Sequence, residues 1–439
     1  FTNHSGTSIE LIPLLRTQGY DVIIVNHPNY SVNGNPIDGG ADYIERNALT
    51  HVGFYQYINS QLVQNGSNEQ LVIIGPSMGG QISRYALAYM EKHALNHNTR
   101  LWISIDSPHL GANIPIGLQT MLYQLAPDNG GAQDYVYNQL QSPAAKQQLI
   151  EQFHNTNGVN LTQQYLNGKT TSQGFNTNKG HPFFQTYYNN LFGNGLPGSE
   201  GYPQNLRKIA VVNGSLEGNK RYESEWTQNL DYFLAGSEIG FNARAFQDLW
   251  GTGSIHIGSL EAYAMPLQNS YNKISRYKKH FTDKSKYVSN LNSRGSLDQV
   301  PGGWFPGFQE MADAVEGTDP LTPGSFWGIN GALTTVASIF SDLLGGADVS
   351  VYDNERVHSF IPVVSALGFY NPEIPWTQEL NRNLSCTNEI PFDSYFGGKY
   401  NERHTSFNQE SINWLFKELG GDPQQPSIYY DEENIEGPD

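Results

Sequence analysis

A serine between glycines stands where a short apolar segment should turn into a helix. Residues 71–74 are Leu-Val-Ile-Ile, a run that predicts a buried strand. The next residues, Gly-Pro-Ser-Met-Gly at 75–79, fit the pattern G-x-S-x-G, which presents a serine hydroxyl on a strained turn at the carboxyl edge of a sheet. Gly75 and Gly79 would leave room for the neighbouring backbone to close in. We therefore predict that Ser77 is a nucleophile.

A serine hydroxyl is a weak nucleophile until a neighbouring base takes its proton, and a histidine late in the chain is placed to do so. His404 lies in a loop-like stretch, 401–407, directly before an amphipathic helical pattern. His358 stands among apolar residues of a strand pattern, and His109 lies in a Pro-His-Leu-Gly run. We interpret His109 as structural or pocket-lining and predict that His404, rather than His358, is the base.

The elements that must position these residues alternate between short apolar strands and helical patterns. Such alternation indicates a mostly parallel sheet with helices on both faces. The predicted strands lie at residues 21–26, 71–75, 101–106 and 208–213. The predicted helices lie at residues 8–18, 41–63, 81–95, 114–125, 332–344 and 409–419.

Two long segments interrupt this alternation and divide the chain. We expect an amino-terminal core part at residues 1–110, a lid insertion at 111–205, a core strand at 206–216 and a second insertion or cap at 217–350. A carboxyl-terminal core part with the histidine should follow at 351–420, and an acidic linker-like tail at 421–439. The insertions are interpreted either as lids and substrate walls or as a structural subdomain. We interpret a basic cluster in the second insertion as the solvated face of a hairpin. The cluster comprises Lys273, Arg276, Lys278, Lys279, Lys284 and Lys286.

Composition narrows the function classes. The 439 residues carry a net charge of −17 with 25 Lys and Arg, which argues against nucleic acid as the main partner. A single cysteine, Cys386, excludes an intramolecular disulfide and a multi-cysteine metal site. We expect no metal, no cofactor and no membrane span. The polar composition favours a secreted or cell-surface protein of a Gram-negative bacterium, and a cytosolic one also fits.

Residues 8–113 and the carboxyl-terminal helix resemble the lipase and esterase branch of the α/β-hydrolase superfamily. The resemblance rests on the run 75–91 together with Asp-Ser-Pro-His-Leu-Gly-Ala at 106–112, which is similar to a segment following the next strand in many lipase-like members. The segments 38–48 and 360–367 are similar to secreted hydrolases of Bacteroidetes-type bacteria. The resemblance implies an α/β-hydrolase fold with large lid or cap insertions.

The resemblance also implies an acid and an oxyanion hole. The acid holds the imidazole in the correct tautomer. Asp393, 11 residues before His404, is favoured, while Asp353 and Glu217 stay open as alternatives. The backbone N–H of Met78 should donate to the oxyanion. The second donor would follow a strand upstream of the first helix; no such strand precedes that helix, so we expect an amino-terminal truncation or a donor from elsewhere.

The predicted function is hydrolysis of carboxylic esters through a serine, histidine and aspartate, with a lipid, short-chain or polymeric ester as substrate. An acyltransferase or amidase that uses the same nucleophile is an alternative that the motif does not exclude. A catalytically inactive surface or binding protein that keeps the fold is the alternative from another class. The sequence does not determine the oligomeric state.

Overall fold

The computed structural model describes residues 11–128, 130–153, 162–166, 170–176, 180–218, 240–248, 254–279, 282–307, 349–355, 357–420 and 428–429. The α-helices in this part are α1 (Leu11–Thr17), α2 (Ile44–Gln64), α3 (Met78–Lys92), α4 (Ile116–Leu125), α5 (Gly130–Asp134), α6 (Pro143–Gln148), α7 (Pro182–Gly193), α8 (Val363–Ala366) and α9 (Gln409–Gly420). The strands are β1 (Tyr30–Val32), β2 (Asn35–Ile37), β3 (Leu71–Pro76), β4 (Thr99–Ile105), β5 (Thr162–Leu166), β6 (Thr170–Asn176), β7 (Arg207–Val212), β8 (Gly240–Asp248), β9 (Ser254–Tyr263), β10 (Tyr271–Lys279), β11 (Thr282–Ser289), β12 (Gly302–Phe305), β13 (Val349–Glu355), β14 (His358–Pro362), β15 (Ser394–Gly397) and β16 (Ile428–Tyr429).

A parallel sheet forms the core, with the strand order β16-β15-β7-β4-β3. The six residues of β7 are all buried, as expected for a strand covered on both faces. Helices α2 and α3 pack with Trp102 in one apolar cluster, and α1 and α9 pack with Ile103 in another. Because Trp102 and Ile103 point to opposite faces of β4, the sheet has helices on both sides. This arrangement confirms the predicted fold class.

The second sheet draws on both insertions. Its order is β13-β8-β9-β10-β11-β6-β5, in which β11 and β6 run parallel and the other neighbours run antiparallel. Helix α4 lies against this sheet: the Thr120 hydroxyl donates to Ser275 Oγ at 2.8 Å, and a Cβ at Gly117 would lie 2.0 Å from the Tyr263 carbonyl oxygen. The sequence did not predict that the two interruptions pair with each other.

Most predicted core elements occur within two to three residues of their expected ends, with one exception. The predicted strand at residues 21–26 is wrong: the segment makes no strand pairing, and Ile23 and Ile24 are exposed. An apolar run becomes a strand only where a neighbouring strand satisfies its N–H and C=O groups, and no described strand lies beside it. The tail also departs from a simple linker, since β16 pairs with β15. The helix predicted at 332–344 lies outside the described residues.

Candidate active site

Ser77 stands on a strained turn between β3 and α3. Its φ of 50° and ψ of −127° lie in a region that side-chain-bearing residues rarely adopt. The turn is tight because a Cβ at Gly75 would lie 2.6 Å from the Gly80 Cα, and a Cβ at Gly80 would lie 2.0 Å from Ser107 Oγ. A Cβ at Gly79 would come no closer than 3.4 Å to its neighbours. Close packing therefore requires Gly75 and Gly80, whereas the sequence had assigned this role to Gly75 and Gly79.

Ser77, His404 and Asp106 form one hydrogen-bonded chain. The Ser77 hydroxyl lies 2.9 Å from His404 Nε2, and His404 Nδ1 lies 2.7 Å from Asp106 Oδ2. In the tautomer that suits both contacts, Ser77 donates to Nε2 and Nδ1 donates to the carboxylate. Ser77 is 0% exposed, His404 is 7% exposed and Asp106 is 1% exposed. Burial removes competing water and strengthens each electrostatic contact.

Ser77 and Asp106 lie together because two parallel strands end at the same edge of the core sheet. Ser77 follows β3 and Asp106 follows β4, and the two strands are neighbours in register. The Ser77 N–H donates to the Ile105 carbonyl at 2.8 Å, and the Asp106 N–H donates to the Val211 carbonyl at 2.7 Å. The free oxygen of the carboxylate, Oδ1, accepts the Asn213 N–H at 3.2 Å. Backbone groups therefore fix both ends of the chain.

The structure corrects the choice of Asp393 as the acid. Its Oδ2 accepts the Lys208 backbone N–H at 2.7 Å, near the amino end of β7. His404 and Asp106 lie at the opposite, carboxyl edge, so Asp393 cannot reach the imidazole in a parallel sheet. The carboxylate within hydrogen-bonding distance of His404 Nδ1 is that of Asp106. Asp353 lies on β13 of the second sheet, and the Glu217 N–H donates to Ser215 Oγ.

Asp106, whose carboxylate contacts His404 Nδ1, is the residue of this hydrogen-bonded chain that the sequence did not indicate. The expected order along the chain, nucleophile, acid and then histidine, holds with Asp106 as well as with Asp393. A usable signal was present: Asp106 ends a buried strand adjacent in sequence to the Ser77 strand and helix, and such strand ends meet at one edge. Its φ of 45° is a further mark of a special position.

The other two histidines considered, His358 and His109, are packed inside the protein. His358 is buried on β14 with its ring against Phe305 and Phe360. His109 shares a hydrogen bond of 2.8 Å with Ser104 Oγ, and burial lowers its pKa well below the usual value. Both sites agree with the interpretation of these histidines as structural.

The first turn of α3 faces the nucleophile. Met78 is its first residue, so its N–H has no acceptor within the helix, and the positive end of the helix dipole lies at Ser77. This group can donate to an oxygen that becomes negative beside Ser77. The second donor, predicted to lie upstream of Phe1 or to come from elsewhere, stays a prediction.

No metal-binding group of three or more His, Cys, Asp or Glu side chains is found in the described residues. A pair of histidines lies away from the site: the Nε2 atoms of His27 and His51 are 3.0 Å apart, and His51 also contacts the Tyr55 hydroxyl. Burial, followed by the neighbouring His27, lowers the pKa of His51 to about 4. Among the described helices, none has the length and apolar character needed to cross a bilayer.

Comparison with known proteins supports the fold. Residues 1–217, just under half of the chain, match the family model of the alpha/beta hydrolase fold. The match and the core sheet together show that the chain has the α/β-hydrolase fold. No curated protein and no solved structure showed a significant match.

Proposed function

We propose that the protein is a serine hydrolase that cleaves carboxylic esters, with Ser77 as nucleophile, His404 as base and Asp106 as the orienting acid. The observation that carries the proposal is the continuous chain from Ser77 Oγ to His404 Nε2 and from Nδ1 to the Asp106 carboxylate, at 2.9 and 2.7 Å. Each distance is within hydrogen-bonding range without any movement, as a nucleophile and its base require.

The reaction follows from these contacts. Ser77 Oγ attacks the ester carbonyl carbon while its proton moves to His404 Nε2, and Asp106 stabilises the imidazolium that forms. The Met78 N–H and the α3 dipole stabilise the oxyanion of the tetrahedral intermediate. Collapse breaks the C–O bond, and the leaving alkoxide takes the proton from His404. Water then attacks the acyl-enzyme with His404 as base, which releases the acid and restores the Ser77 hydroxyl.

An inactive protein that keeps the fold is less well supported, because the strained φ angles of Ser77 and Asp106 persist only where the surroundings impose them. Acyl transfer differs from ester hydrolysis in the acceptor that attacks the acyl-enzyme, and amide cleavage differs in the leaving group. An alkoxide needs less assistance than an amine, and the contacts at His404 provide one proton donor.

The test uses the full chain with p-nitrophenyl esters, a matched p-nitroanilide and a fluorophosphonate probe. We expect ester turnover, weaker anilide cleavage and a single adduct mapped by mass spectrometry to Ser77, all abolished in Ser77→Ala. Labelling with turnover only in the presence of an alcohol or amine acceptor would favour the transferase. If the protein shows neither hydrolysis nor labelling, the proposal is refuted.

A further inference from the structure

Strand β12 lies beside the loop that carries His404. The Trp304 N–H donates to the Glu402 carbonyl at 3.0 Å, and the His404 N–H donates to the Trp304 carbonyl at 2.9 Å. These bonds form a parallel bridge between Trp304 and Arg403. The backbone of the histidine is thus paired with a strand that lies in the second insertion along the chain.

One side chain connects this strand to the loop. The Asn401 carboxamide oxygen accepts the Gly302 N–H at 2.9 Å and the Ser215 N–H at 2.8 Å. The carbonyl oxygen of Asn401 accepts the Trp304 indole N–H at 3.1 Å. Asn401 is buried, so without its side chain the Gly302 and Ser215 N–H groups would be left in a water-poor environment. A single residue therefore joins β12, the loop after β7 and the His404 loop.

The same strand also contacts the acid. A Cβ at Gly303 would lie 1.9 Å from Asp106 Oδ2, the oxygen that is hydrogen-bonded to His404 Nδ1. A Cβ at Gly302 would lie 2.3 Å from Ser359 Oγ, and one at Gly214 would lie 2.6 Å from the Gly302 Cα. The backbone of β12 approaches Asp106 at a distance that only glycine permits.

We propose that Asn401 is a positioning residue, which holds β12 against His404 and Asp106 so that the inserted strand sets the geometry of the catalytic chain. This inference rests on the function proposed above. Nothing in the chemistry requires Asn401 to touch substrate; it acts through the backbone on both sides of His404. A displacement of about 1 Å at a catalytic group can cost about 100-fold in rate.

The kinetic test compares Asn401→Ala with Asn401→Asp. Both oxygen-mediated bonds can form with a carboxylate, so we expect Asn401→Asp to keep kcat within about threefold. Asn401→Ala should lower kcat about 30- to 100-fold with KM within about twofold, since only positioning is lost. The matched control is Asn408→Ala, which removes the Asn408 acceptor of the Ser411 N–H at the start of α9 and should leave kcat within about twofold. A wild-type kcat in Asn401→Ala, or an equal loss in Asn401→Asp, would overturn the proposal.

A spectroscopic readout separates this proposal from the proposed function. The His404 Nδ1 proton in its short bond to Asp106 should give a downfield proton resonance, assigned by its loss in His404→Gln. We expect Asn401→Ala and Gly303→Ala to weaken or abolish it, and Asn401→Asp and Asn408→Ala to keep it. Gly303→Ala serves as the independent variant if Asn401→Ala does not fold. An unchanged resonance in both would refute the positioning role, whether or not the wild type turns over ester.

Discussion

The core sheet and the second sheet are built from different kinds of sequence and hold different parts of the site. Strands of the core, such as Ile-Ala-Val-Val at 209–212, are apolar and fully buried. Strands of the second sheet, such as Thr-Asp-Lys-Ser-Lys-Tyr-Val-Ser at 282–289, are mostly polar. The core presents Ser77 and Asp106 at its carboxyl edge, and β12 pairs with the loop of His404. A parallel apolar sheet is thus enough to place two of the three residues, whereas the third depends on a segment outside it.

The largest effect should separate the two candidate acids of the core. Asp106→Asn keeps the shape of the side chain but leaves His404 without a carboxylate, so we expect kcat to fall about 10⁴-fold, as for the equivalent change in other serine hydrolases. Asp393→Asn is the matched control at the opposite end of the sheet and should leave kcat within about threefold. Steady-state kinetics on a p-nitrophenyl ester decides this, and comparable losses in the two variants would contradict the assignment.

A smaller effect, on the free energy of unfolding, is expected from a buried ion pair in the core. Arg207 on β7 and Glu418 on α9 form a buried ion pair, with Nη2 2.5 Å from Oε2, far from Ser77. Glu418→Gln leaves a buried guanidinium without its counter-charge, which should lower the free energy of unfolding by about 3–5 kcal/mol while kcat stays unchanged. Urea denaturation measures the first quantity. A loss below about 1 kcal/mol would show that water reaches this pair.

The smallest effect should come from the second sheet. Arg276 pairs with Asp283 across the β10–β11 hairpin at 2.6 Å, and the hydrogen bond to Arg276 lowers the pKa of Asp283. Since the pair is partly exposed, Asp283→Asn should cost less than about 1 kcal/mol at neutral pH. Because the pKa of Asp283 is lowered in the folded state, its carboxylate stabilises the protein above the unfolded pKa of about 3.9. This stabilisation is lost as the pH falls through the folded pKa. Unfolding measured at pH 7 and below pH 3 should show the difference between the wild type and the variant disappear in acid.

Local signals predicted most of the core elements and named two of the three residues that the structure brings together. Ser77 sits in a motif that its own neighbours define, and His404 precedes a helix whose amphipathic pattern is clear. Asp106 was missed because its role depends on which strand ends meet in space, a property of strand order and not of any local pattern. The second sheet was missed for a related reason: β6 and β11 are separated by about 100 residues of chain and pair through polar sequences. Expectations about a secreted location and a lipid or polymeric substrate stay predictions.

Three residues with side chains adopt a left-handed backbone at the site: Ser77, Asp106 and Thr405, with φ of 50°, 45° and 56°. Each such conformation costs roughly 1–3 kcal/mol, against a typical total stability of about 5–15 kcal/mol. The packing around the proposed site must therefore offset this backbone strain. Glycine at Ser77 or Asp106 would relieve this strain but would remove the hydroxyl or the carboxylate that the proposed reaction needs, so stability and reactivity oppose each other at these two residues.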